Sequence, residues 1–437
     1  MKRHVAAVLL VLAAALGWNL TALGQARNEL FIPLLVYRTG PYAASGISAA
    51  NGYRDYLQLV NTRDRGIQGV RIAFEECETA YDTKLGVACY EKLKNRGSGA
   101  AVVNPQSTGI AYELIPKAAA DKIVIHTMGY GMTAAADGAV FPFVFNFPVD
   151  YWSEVSAFIR YIGTQEGGMD RVRGKKIALV YHNSPYGKEP IPTLEALKGT
   201  LGYELALLPV DHPGQEQKAT WQQIRRLNPD WILLWGWGVM NPVALQEAAA
   251  IGFPMERMIG TWGSGSEADV IPAGDGAKGY KAGTFHAPGR GFKVHEEILK
   301  YVYKGDPNKA AANHFGEVLY NRQVVNAMYD VEAIRKAMSR YGSRPLTGEQ
   351  YRWGFENLSL TPQDLAKLGF ARVVQPLKVT CRDHEAAGSV MIQQWNGKAW
   401  VLTTDWIEPM SDLVRPMIEA AADKYAKANH ITPRPCP

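Results

Sequence analysis

Short apolar runs alternate along this chain with longer stretches in which apolar residues recur at every third or fourth position. The runs Leu30–Tyr37, Val70–Glu76, Ala100–Asn104, Ile123–Met128, Lys176–Tyr181, Leu205–Val210, Trp231–Trp235 and Arg257–Thr261 have the length and composition of strands. Between them lie "GYRDYLQLVNTRD", "DTKLGVACYEKLKN", "YWSEVSAFIRYIGTQE", "IPTLEALKGTLG", "KATWQQIRRLN" and "PVALQEAAAIG", whose i, i+3, i+4 spacing predicts helices. Such alternation predicts an α/β protein built on parallel sheets.

The alternation falls into two arrays. The first closes near "FPFVFNFPVDYW", and Pro142–Asp150 reads as a crossing from one lobe to the other; a second array starts at Lys176–Tyr181. "YKAGTFHAPG" reads as a further strand and crossing, and Phe315–Arg340 as a long helix. "WNGKAW" carries the Asn396-Gly397 hairpin signal, and a last helix is expected over Asp412–Ala428. The expected boundaries are therefore a signal peptide over 1–26, one lobe over 27–148 plus 286–375, a second over 149–285 plus 376–410, and a carboxyl-terminal helix and tail over 411–437.

Composition narrows the class. At 437 residues, 47% hydrophobic and 20% charged, the chain is globular and long enough for two cores. Its net charge of +5 is spread without a basic run, which gives no footprint for nucleic acid. "MKRHVAAVLLVLAAALGWNLTALGQA" has the basic start, apolar middle and small-residue end of a secretory signal, with cleavage expected after Ala26. Four cysteines in an exported chain favour disulfides, and the economical pairing is Cys77–Cys89 with Cys381–Cys436. Metal is not expected, because no C-x-x-C pair is present.

Enzyme signatures are missing: there is no G-x-x-x-x-G-K-[ST], G-x-S-x-G or H-E-x-x-H. Two G-x-G-x-x-A matches, starting at Gly129 and Gly263, are not followed by the long helix and acidic residue that a dinucleotide site needs, so no cofactor is expected. Their glycines read as loops where backbone approaches a ligand or the other lobe. Asp383, His384 and Glu385 read as a solvated turn. The aromatic residues are more telling. Tyr42, Tyr130, Tyr186, Trp237 and Trp262 each follow a predicted strand directly, where strand ends of open α/β sheets converge on a ligand crevice. Ser107 and Thr108 stand between a strand and a helix, where hydroxyls and free backbone N–H groups favour an anion.

Taken together, "TGPYAASGISAANGYRDYL", "RGIQGVRI", the "QSTG" loop, "VYHNSPYGKE" and "NPDWILLWGWGVMNPVALQEAAAIGF" resemble the type I periplasmic solute-binding proteins of the leucine/isoleucine/valine group, which serve ABC importers. The resemblance covers nearly the whole mature chain. It implies two Rossmann-like lobes joined by three crossovers, a ligand cleft between them, and no chemical step. It carries ligand contact onto Tyr42, Ser107, Thr108, Gly129, Tyr130, Tyr186 and Trp237, and, near the first crossing, onto Asp150 or Tyr151. It implies a periplasmic, monomeric receptor whose partners are a small molecule and a membrane permease; an extracytoplasmic sensing module is the alternative. One departure stands out: where amino-acid binders of the group carry an acid for the ligand ammonium, this chain has Trp262. A buried ammonium without a counter-charge is costly. A carboxylate or amide with an apolar or aromatic body is therefore expected, with a branched-chain amino acid requiring Asp150 or Glu267 as substitute partner.

Overall fold

The computed structural model describes residues 29–436. The expected signal peptide lies outside the described residues. The first sheet is parallel: β1 (Glu29–Val36) pairs with β2 (Arg71–Glu78), and β3 (Ile125–His126) with β4 (Val144–Phe145). Residues 100–104, read from sequence as a strand, join the two pairs through single bridges, Phe31 to Ala100, Leu34 to Asn104 and Val103 to Ile125. The run "LFIPLLV" is buried throughout, as a strand covered on both faces must be. Helices Ala43–Arg63, Thr83–Leu93, Thr108–Asp121 and Val318–Tyr341 belong to this half.

The second sheet takes β5 (Lys176–His182), β6 (Glu204–Val210), β7 (Trp231–Trp235), β8 (Met258–Gly260) and β9 (Lys281–Thr284) in parallel. The chain then returns to the first half, where β10 (Ser359–Leu360) and β11 (Leu377–Lys378) pair antiparallel. It crosses again to add β12 (Met391–Trp395) and β13 (Trp400–Leu402), a hairpin around Asn396-Gly397 that runs against β9. The resulting order is β13-β12-β9-β8-β7-β5-β6. Gly397 has φ +96°, a conformation for which glycine is suited, and Asn396 Oδ1 accepts from the N–H groups of Lys398 and Ala399.

One boundary differs from expectation. The second lobe was to resume at residue 376, but the chain stays with the first half through His384. Leu377 pairs with Leu360, and the His384 ring stacks on Phe145 at 4.0 Å while Nδ1 donates to the Val144 carbonyl at 2.6 Å. The expected solvated turn at Asp383–Glu385 is likewise corrected. His384 is fully buried, and burial pushes its ring down to about 3, so it is neutral.

Both expected disulfides are present, Cys77–Cys89 and Cys381–Cys436. The second ties the tail to the first half, where Arg434 also donates to Gly138 O at 3.0 Å. Between lies the helix Ser411–Ala428, whose Val414 and Ile418 pack against Ala136 of one half and Trp152 of the other. Among the described residues, no helix is long and apolar enough to cross a membrane.

Candidate functional site

Three short segments connect the halves: Phe147–Asp150, Phe285–Ala287 and the stretch after His384. The carboxyl ends of β1 and β3 in one half face those of β5, β7 and β8 in the other. The loops that follow these strands meet in a seam, and the aromatic residues singled out in the sequence lie along it.

Tyr42 is buried, and its hydroxyl lies 3.0 Å from Nε2 of His182 at the end of β5. Burial, aided by His212, pulls His182 down to about 4. The ring is therefore neutral, and it bonds the Tyr42 hydroxyl through Nε2 and Ser184 Oγ through Nδ1 at 2.8 Å, one of the two nitrogens donating and the other accepting. Tyr81 lies 4.6 Å from the Tyr42 ring and stacks with Trp237 of the second half at 6.2 Å. Trp237 also meets Tyr37 and Tyr130 edge-on, at 6.4 and 6.5 Å. Tyr130 meets Trp262 at 5.2 Å, and Trp262 stacks on Tyr151 with an interplanar angle of 4°. Tyr186 reaches Tyr151 at 5.5 Å and donates to Gly236 O at 2.9 Å. The seam thus brings Tyr42, Tyr130, Tyr186, Trp237 and Trp262 into one continuous set of rings. Edge-on and offset pairs of this kind contribute about 0.5–1.5 kcal/mol each beyond their buried area.

Two glycines let the backbones approach. Gly129 has φ +84°, and a Cβ there would sit 2.5 Å from Val149 O and 3.3 Å from the Trp262 ring. Gly238 has φ +55°, and a Cβ would sit 2.3 Å from the Tyr42 ring. Either side chain would hold the halves apart.

The polar candidates divide. Ser107 stands at the N-cap of Thr108–Asp121 but its hydroxyl makes no capping bond; Thr108 Oγ1 lies 3.5 Å from Tyr151 OH across the seam. Asp150 Oδ1 accepts from Ser153 N at 2.8 Å and so caps the helix Tyr151–Glu166, while Oδ2 is buried without a hydrogen-bond partner. Burial and the neighbouring Glu385 raise its carboxyl well above the usual range. Glu267 accepts from Val318 N at 2.9 Å, capping a first-half helix from the second half, and burial pushes it up to about 7. The two acids that could have met a ligand ammonium are both capping helices.

Several seam residues escaped the sequence reading. Tyr37 closes the predicted strand Leu30–Tyr37 and Tyr81 lies beyond Val70–Glu76, and neither was singled out. Glu189 follows β5 and takes bonds from Tyr112 OH and from Thr133 Oγ1, the latter at 2.7 Å, both in the first half. Arg322 lies within an apolar-spaced helix. The signal was present: Arg322, Asn326 and Asp330 recur every fourth residue on one face of Val318–Tyr341, and all are buried.

The fold and seam have counterparts. A solved structure described as an ABC transporter permease from the Pseudomonas fluorescens group is 42% identical, with a TM-score of 0.87, covering 94% of this chain and 100% of that one. A branched-chain amino acid ABC transporter structure from Thermus thermophilus, with bound valine, matches at 21% identity and TM-score 0.74 over 90% of this chain and 99% of its own. A solute binding protein of an ABC transporter from R. palustris, in complex with benzoate, matches at 16% identity and TM-score 0.69 over 87% and 97%. No match is found among the curated proteins. The model of the periplasmic binding protein family spans residues 29–399, and with two helix-flanked sheets meeting at a ring-lined seam the chain belongs to that family, as a binding protein of the ABC transporter type and not an enzyme.

Proposed function

We propose that this protein is the periplasmic solute receptor of an ABC importer. It captures a small organic acid with an apolar or aromatic body, closes its two lobes around it, and presents the closed form to a membrane permease. It reaches the periplasm through a cleaved signal peptide and acts as a monomer.

The observation that carries this reading is the seam itself. Rings from both halves interlock there, while Tyr37 OH, Trp237 Nε1 and Trp262 Nε1 are buried without a protein acceptor. Buried donors lacking an acceptor are costly, and a solute rich in oxygen would satisfy them. The proteins with bound valine and benzoate share the fold, and both those ligands carry a carboxylate. An amino acid suits this chain less, because Glu267 is engaged as a cap and the Asp150 carboxyl, raised by burial and by Glu385, is a poor counter-charge for an ammonium.

Thermal-shift screening of the mature protein with benzoate, 3,4-dihydroxybenzoate, phenylacetate, 4-methylpentanoate, valine and leucine tests the reading, with calorimetry on any hit. A bound solute at one hundred times its Kd raises stability by about 2.7 kcal/mol. The expected result is a clear rise in Tm with an acid and a smaller scattering radius. Turnover of a solute, or a hit that leaves the radius unchanged, would count against it.

A further inference from the structure

Where the two sheets meet, the helix Val318–Tyr341 places a single arginine. Arg322 is 1% exposed. Its guanidinium carbon lies 4.7 Å from the Trp262 ring centroid and 5.5 Å from that of Phe285. Nη2 donates to the backbone carbonyl of Trp262 in the second lobe. Nε and Nη1 have no protein partner.

The surrounding charges do not neutralise it. Glu154 and Asp269 are close enough to feel the guanidinium. Yet Glu154 accepts from Thr261 Oγ1 at 2.7 Å and Trp262 N at 2.6 Å. Asp269 accepts from Asn241 at 2.8 Å and from both the backbone and the hydroxyl of Ser266. Among the described residues neither forms an ion pair with Arg322. Burial pushes Glu154 up to about 8, so it is largely protonated at neutral pH, while Asp269, raised to about 6, keeps its charge but directs it at Ser266 and Asn241. Two aromatic faces stabilise a desolvated cation in part, but a buried cation ordinarily holds an anion as well.

We propose that Arg322 is the anion anchor of the cleft: its free N–H groups take the carboxylate of the solute while Nη2 holds the Trp262 carbonyl. The proposal rests on the solute-receptor reading above. It makes acid recognition and lobe closure one event, because the residue that grips the carboxylate belongs to the first lobe and is fastened to the second. It also sets selectivity. A carboxylate is preferred over the matching amide, and an α-amino acid is disfavoured, since its ammonium would enter beside a guanidinium.

Calorimetry with wild type, Arg322→Gln, Arg322→Lys and Arg322→Met, against benzoate and benzamide, 4-methylpentanoate and 4-methylpentanamide, and leucine, decides it. The expected result is that at least one acid binds wild type about tenfold or more tighter than its amide, and that Arg322→Gln weakens that acid on the order of 30-fold while leaving the amide within about threefold. Arg322→Lys falls between, keeping charge but losing the planar fork. Arg322→Met removes a buried charge at similar volume, so a melting curve at or above wild type shows that lost binding is not lost folding. Acid and amide binding alike, or an acid indifferent to Arg322→Gln, overturns the anchor while solute-induced closure, seen by tryptophan fluorescence and scattering, leaves the receptor reading standing. If no member of the panel closes the lobes, the receptor reading fails and takes the anchor with it.

Discussion

The Tyr42 hydroxyl and Nε2 of His182 lie 3.0 Å apart although 140 residues separate them in the chain. One residue belongs to the loop after β1 and the other ends β5, so this bond forms only when the lobes are together. Its weight should therefore appear in closure, and in ligand affinity, more than in the stability of either lobe.

Tyr42→Phe is expected to weaken solute binding about three- to tenfold, the worth of one neutral hydrogen bond. The same contact sets a pH dependence. In the closed state burial holds His182 down to about 4, and parting the lobes returns the ring toward its ordinary 6.5. Its contribution to closure is thus fully present above about 6.5 and is lost as pH falls toward 4. Calorimetry across that window checks both statements; a His182→Gln variant with an undiminished acid slope would show that the proton is taken up elsewhere.

Trp237→Ala should weaken binding tenfold or more. The indole is 2% exposed and touches Tyr37, Tyr81 and Tyr130, so truncation removes contact between lobes as well as a wall of the seam. Affinity unchanged in calorimetry would remove Trp237 from the site.

Gly238→Ala should keep the lobes open. At φ +55° a side chain is strained by about 1–2 kcal/mol, and its Cβ would collide with the Tyr42 ring. Small-angle scattering with saturating solute is expected to show the radius of the unliganded form. A normal closed radius would mean that the Tyr42 loop yields.

Replacing Cys381 and Cys436 together by serine should lower stability by about 4 kcal/mol, because the bond closes a loop of 55 residues in the unfolded chain. Chemical denaturation measures it. The tail also loses its hold on Gly138, so proteolysis near the terminus should quicken.

Much of the architecture was legible because it is written in local periodicity. "WILLW" and "LFIPLLV" are strands in any context that buries both faces, and Asn396-Gly397 turns a hairpin by its own backbone preference. The aromatic residues were legible as a set, since each follows a strand end. Their partners were less so. His384 looked like part of a polar turn because a sequence cannot show that Phe145 and Val144 O are waiting to cover it. Asp150 and Glu267 looked available for a ligand, yet each is used by a helix start, one of them in the opposite lobe.

By itself the sequence determined the order of strands and helices, two arrays, two disulfide pairs and a row of rings at strand ends, because each depends on residues near in the chain or on composition. Only the tertiary structure decided which rings meet, that residues 377–384 stay with the first half, and that Arg322 is sealed beneath Trp262 from 60 residues away. Those outcomes depend on what each group loses when water is excluded, and that loss is set by neighbours brought together across the seam.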